Sequence, residues 1–124
     1  MGMTNRVIIP TREPEGVSVA DHFGRSPYIA IIDLDKKGTI VQKTVHQNMS
    51  AHTGGKGHAH NNVLQFQPNV VIVRNMGPRG IRSLESNNIA VLEALSGSVD
   101  RVVAAYVKGK LETLTYGCED AHHK

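Results

Sequence analysis

Val70-Val71-Ile72-Val73 is an unbroken run of four β-branched apolar residues. Branching at Cβ favours extended backbone. A strand with no polar alternation has no solvent face, so both its faces are covered, as in a parallel sheet. The residues after it read as a helix. Gly77-Pro78 puts proline at the first helical position, where its missing N–H costs nothing. Ile81 and Leu84 are spaced to face inward, and Asn87-Asn88 ends the element because Asn tolerates the left-handed conformation. Ile89-Ala90-Val91-Leu92 predicts a further strand. Ser98 then caps a last helix, in which Val99, Val102, Val103, Tyr106 and Val107 recur at helical spacing and Gly109 is the stop. Strand–helix–strand alternation requires crossover connections, hence parallel pairing with helices laid on the sheet.

The first half of the chain adds strands without helices. Arg6-Val7-Ile8-Ile9-Pro10 is a short β-branched run closed by proline. Thr11 to Ser18, with Pro14 and Gly16, reads as a loop. Tyr28 to Leu34 and Thr39 to Val45 are strands joined by Asp35-Lys36-Lys37-Gly38, an antiparallel hairpin. Gln47 to Gly57 is glycine-rich and has no apolar period. From His58 a helix is expected, with Ala59, Val63, Leu64 and Phe66 as its apolar stripe, ended by Pro68-Asn69. Leu111 to Leu114 adds a short extended piece. The expected fold class is α/β: one domain over residues 3–116, built on a mixed five-stranded sheet with helices on both faces, and a polar tail over 117–124.

The composition argues against several function classes. Fourteen Lys and Arg against eleven Asp and Glu leave a net charge of +3, and the basic residues are scattered rather than clustered. Three Tyr, two Phe and no Trp provide few stacking platforms. Neither feature favours nucleic-acid binding. A single Cys forbids an intramolecular disulfide. No apolar run reaches the roughly 18–20 residues that a membrane helix needs, and the first residues do not read as a secretory signal. A cytoplasmic protein that neither spans nor binds membranes is the expectation. No Ser elbow, P-loop or converging carboxylate set is present, so the chain reads as non-enzymatic.

The seven histidines are unevenly placed. His46, His52, His58 and His60 fall in or beside the glycine-rich stretch. His122 and His123 follow Cys118 in the tail, and His22 stands in Asp21-His22-Phe23-Gly24. Imidazole and thiolate are common ligands of metals and metal–sulfur clusters. The spacing matches no standard metal motif, so the loop histidines read equally as a solvated polar loop and His22 equally as a residue that shapes its turn.

His22-Phe23-Gly24-Arg25-Ser26-Pro27-Tyr28 is similar to the HFGR-x-P-(Y/F) signature of the dinitrogenase iron–molybdenum cofactor biosynthesis family. Asn75-Met76-Gly77-Pro78-Arg79 resembles that family's GxGP turn after the fourth strand. Asn88-Ile89-Ala90-Val91 resembles its G-I-x-V strand, and Gly109-Lys110-Leu111 its G-x-L ending. The likeness runs from Arg6 to Leu114. The chain departs from the pattern at Asn75 and Asn88, where the family has Gly, and at Gly80, where Ala is usual and Gly weakens a helix by roughly 0.5–1 kcal/mol.

The resemblance implies a ribonuclease H-like three-layer α/β/α fold without nuclease activity. It also implies binding or carriage of a metal–sulfur cluster: the iron–molybdenum cofactor, an iron–sulfur cluster or another molybdenum-containing cluster. Cluster-assembly proteins, including an iron–sulfur carrier ATPase, are the implied partners. A cluster-free interaction or regulatory module on the same fold is the alternative. The matched positions His22, Phe23, Gly24, Arg25, Asn75, Met76, Gly77 and Pro78 form the expected cofactor-binding surface. His22, His52, His58, His60 and Cys118 are the expected metal ligands on residue chemistry, since the family shares no fixed ligand set.

Overall fold

The computed structural model describes residues 5–48 and 63–114. The glycine-rich stretch from Met49, the expected helix between His58 and Asn62, and the tail over 117–124 lie outside the described residues. Five strands form one sheet: β1 (Asn5–Thr11), β2 (Tyr28–Leu34), β3 (Ile40–Gln47), β4 (Val70–Val73) and β5 (Ala90–Glu93). Among the described residues, α1 (Pro78–Ser86), α2 (Val99–Val107) and a 3-10 turn at Phe23–Arg25 accompany the sheet, and Val63 and Leu64 are also helical.

The sheet order is β3-β2-β1-β4-β5. β2 is antiparallel to both β1 and β3, whereas β1 pairs parallel with β4 and β4 with β5. This is the ribonuclease H-like order, in which only the second strand runs against the rest. Register is fixed by burial, because a slip of one residue would exchange the two faces of every strand. In β1, Val7 and Ile9 face one layer and Ile8 the other, and all three are fully buried.

The two layers are separate apolar cores. On one face Val7, Ile9, Ala30, Ile32 and Ile72 pack beneath Val99, Val102 and Val103 of α2. On the other, Ile8, Ile29, Ile31, Val71 and Val73 pack beneath Ile81 and Leu84 of α1 and beneath Val63. Each of these Val, Ile and Leu side chains contributes roughly 1.5–3 kcal/mol by leaving water. Val63 and Leu64 are helical, and Val63, Leu64 and Phe66 join the second core as the expected stripe requires. The helix ends obey the sequence: Pro78 opens α1, the Ser98 hydroxyl accepts from the Arg101 N–H at 3.3 Å, and Asn88 takes φ 64°.

One ion pair locks the amino-terminal edge of β1. The Arg6 guanidinium donates to both oxygens of the nearly buried Asp33 carboxylate, at 2.8 and 3.1 Å, and to the Phe66 carbonyl at 2.8 Å. The Asp33 hydrogen bond raises the Arg6 pKa further above its ordinary value. At the hairpin, Gly38 adopts φ 86° against Val107, where no other residue fits.

Candidate functional site

The chain leaves the carboxyl end of β1 towards β2, on one side of the sheet, and the carboxyl end of β4 towards β5, on the other. β1 and β4 are neighbours, so their ends form a topological switch point. Open α/β sheets bind ligands in the crevice that diverging connections leave there. The two sequence motifs are these two connections. Residues 12–27 follow β1, and Arg74 to Gly77 follow β4.

The motifs are clasped to each other. The Phe23 N–H donates to the Asn75 carbonyl at 3.1 Å, and the Asn75 side-chain amide donates to the Asp21 carbonyl at 3.0 Å. Arg74 and Asp21 add a loose, exposed ion pair at 3.9 Å. Phe23 sinks its ring into the core beneath α1 and is only 3% exposed. Its contribution at the surface is therefore backbone, while the ring is an anchor. Met76 is also half-buried against that core.

Around this anchor the turn is held from three sides. Ser26 is buried; its backbone N–H and its hydroxyl both donate to the Phe23 carbonyl, at 3.3 and 3.0 Å. Asn48, at the end of β3 and fully buried, donates from its amide to the Ser26 hydroxyl at 3.1 Å and from its N–H to the Pro27 carbonyl at 2.9 Å. Upstream, the Ala20 N–H donates to the Pro10 carbonyl and the Val19 N–H to the Gly97 carbonyl, at 2.9 and 2.8 Å.

His22, Gly24 and Arg25 are left exposed on this frame, as are Asn75, Gly77 and Pro78. Beside them lies an open cleft of about 340 Å³ lined by Arg12, Ala20, Asp21, His22, Arg25 and Pro27. Two guanidinium groups and an imidazole face one carboxylate there, so the cleft suits an anion. Gly24 and Gly77 are informative. Neither adopts a positive φ, and a Cβ added at either would meet nothing within 4 Å. Neither strain nor packing requires glycine at these two positions. Glycine there keeps the backbone open to the close approach of another group.

Of the expected metal ligands, only His22 lies among the described residues; His52, His58, His60 and Cys118 lie outside them. Among the described residues, no three His, Cys, Asp or Glu side chains are grouped to hold a metal ion. His46 sits on β3 with its ring tilted at 5.1 Å from that of Phe66, a packing contact. Sequence reasoning missed Arg12, Ser26 and Asn48. Arg12 could have been found by its place directly after β1. Ser26 and Asn48 act through contacts that no local pattern records.

The sequence profile of the dinitrogenase iron-molybdenum cofactor family matches residues 5–109. The chain belongs to that family. The Methanocaldococcus jannaschii protein MJ0580 is 28% identical over 97 residues, spanning 76% of this chain and 80% of its own. Among solved structures, PH0822 superposes with a TM-score of 0.74 at 26% identity, over 87% of this chain and 93% of that one. The Thermotoga protein TM1290 superposes with a TM-score of 0.72 at 26% identity, over 93% and 95%. Family and neighbours relate the protein to iron–molybdenum cofactor biosynthesis. Among the described residues no helix is long and apolar enough to cross a membrane.

Proposed function

We propose that this protein binds a metal–sulfur cluster, the iron–molybdenum cofactor or an iron–sulfur or molybdenum-containing relative of it, and hands it on during cofactor assembly without catalysing a reaction. The observation that carries the reading is the clasp of the His22–Arg25 turn and the Asn75–Gly77 turn at the switch point of the sheet. Metal–sulfur clusters of this type are anionic cargo. Arg12 and Arg25 in the cleft, with exposed Arg74 on the β4–α1 connection and exposed Arg79 in the first turn of α1, offset that charge. The open backbone at Gly24 and Gly77 supplies N–H donors of the kind that receive sulfide and oxo ligands. His22 offers one imidazole at the rim. A carrier must release its cargo, and one or a few ligands on a charged cradle bind more reversibly than a closed cage. Donors and recipients would be cluster-assembly proteins, an iron–sulfur carrier ATPase among them.

Anaerobic reconstitution with iron, sulfide and molybdate tests the reading. Stoichiometric metal, visible absorbance and loss of both in His22→Ala and Arg25→Ala are expected. A folded protein that takes up no metal under these conditions would overturn it, leaving an interaction module.

A further inference from the structure

The two edges of the sheet differ. β5 is covered by the chain itself: the Glu93 N–H donates to the Glu112 carbonyl at 2.8 Å and the Leu114 N–H to the Val91 carbonyl at 2.9 Å. Among the described residues, β3, at the opposite edge, pairs only with β2, and no backbone hydrogen bond reaches its outer side. An uncovered strand edge is a row of donors and acceptors ready to pair with another chain.

The start of this edge adjoins an apolar groove. About 490 Å³ of space lies between Ile40 and the Val103, Ala104 and Val107 side of α2, above Gly38. Ile40, Val41 and Val107 are 43%, 55% and 43% exposed, three of the five large apolar side chains left in water among the described residues. The surroundings are cationic. Lys36, Lys37, Lys43 and Lys108 are exposed around the groove and the strand, against Asp100 on the lining. The Asp35 carboxylate is taken up by the Lys37 and Thr39 N–H groups at 2.8 and 2.9 Å.

We infer that β3 and this groove dock an extended segment of a partner protein in which apolar and acidic residues alternate, added to the sheet as a further strand. The free edge selects an extended segment, since main-chain pairing supplies its affinity. Period two then sends every second side chain to the groove side, where apolar groups fit. Charge selects the partner. A second copy of this chain would bring lysine-flanked edges together, and like charges across a strand pair repel. An acidic segment is attracted. Ile40 pairs with Leu34, at the end of the sheet remote from Tyr28 and Gln47, so a docked partner leaves the His22 turn free.

The test uses the full chain and a short synthetic peptide alternating valine and glutamate, with a valine–lysine peptide as control. The Val–Glu peptide is expected to bind, to slow exchange of the outward-pointing amides at the Ile40 end of β3, and to weaken in about 0.5 M salt. Combined Lys36→Glu, Lys37→Glu and Lys108→Glu, all at exposed positions, should weaken binding by about tenfold or more. Val107→Glu should abolish it while the circular dichroism spectrum is unchanged. Three results would each overturn the inference: equal or absent binding of the two peptides; outward-pointing amides of β3, those not bonded to β2, already protected in the free monomer, meaning that the chain covers its own edge; or a concentration-dependent dimer that protects the same amides, meaning that a second copy is the occupant.

Discussion

Phe23 sits inside the motif that marks the site, yet its ring is part of the core beneath α1. The two roles separate under substitution. Phe23→Ala removes a side chain that is 3% exposed and leaves a cavity among well-packed neighbours, a change that costs about 3–5 kcal/mol in comparable cores. Phe23→Leu keeps most of the volume and should cost about 1–1.5 kcal/mol. Against a total stability of roughly 5–15 kcal/mol the first loss is large but survivable. Urea unfolding followed by far-ultraviolet circular dichroism measures both. With a slope of about 2 kcal/mol per molar, the alanine variant should unfold some 2 M earlier than the parent, and the leucine variant by well under 1 M. Because the Phe23 N–H holds the Asn75 carbonyl, loosening the anchor should also lower metal uptake in the alanine variant under native conditions, while the leucine variant retains it. An alanine variant destabilised by less than about 1 kcal/mol would refute the anchor, because a ring in solvent contact is the only arrangement that loses so little.

Other substitutions probe the frame around the site. Arg6→Met leaves the nearly buried Asp33 carboxylate without its two charge-assisted bonds and should cost about 1–3 kcal/mol by thermal unfolding, a range lowered by the partial exposure of Arg6. Gly38→Ala places a Cβ at φ 86° and 2.5 Å from the Val107 Cγ1, a predicted loss of about 2–3 kcal/mol. Combining it with Val107→Ala should relieve the overlap but not the backbone strain, so calorimetry should show partial recovery. Ser26→Ala deprives the buried Asn48 amide of its hydroxyl acceptor at 3.1 Å and should cost about 1–3 kcal/mol; a neutral result would show that the Asn48–Ser26 link does not hold the turn.

The elements with sharp chemical boundaries were legible from the sequence. β2 begins after Pro27 and ends before the Asp35 turn, and the hydrophobic run Val70–Val73 is β4 to the residue. α1 and α2 begin where Pro78 and Ser98 place them. Errors arose where a residue serves two elements. Ile89 reads as strand because it is apolar, yet its N–H donates to the Leu84 carbonyl at 3.0 Å and closes α1, so β5 starts at Ala90. Thr39 reads as the first residue of β3, but it completes the turn against Asp35, and the strand runs on to Gln47. Thr11 is polar and reads as the start of a loop, yet it ends β1 fully buried, its hydroxyl donating to the Glu13 carbonyl at 3.2 Å. At the site, the motif residues pointed to the two turns but not to their union. The bond from Asn75 to Asp21 spans 54 residues, and no local pattern encodes a contact of that length. The same holds for Phe23, whose burial depends on α1, more than fifty residues away.

The central claim is that an anionic metal–sulfur cargo sits between the His22 and Asn75 turns. Anaerobic titration of isotope-labelled protein with thiomolybdate, a compact molybdenum–sulfur anion, tests it most directly. Shifts of the backbone amides of Phe23, Gly24, Arg25 and Gly77 are predicted, saturable and abolished by combined His22→Ala and Arg25→Ala, with Ile40 and its neighbours on β3 unmoved. Saturable shifts located elsewhere, or none at these amides while the protein binds molybdenum, would contradict the account.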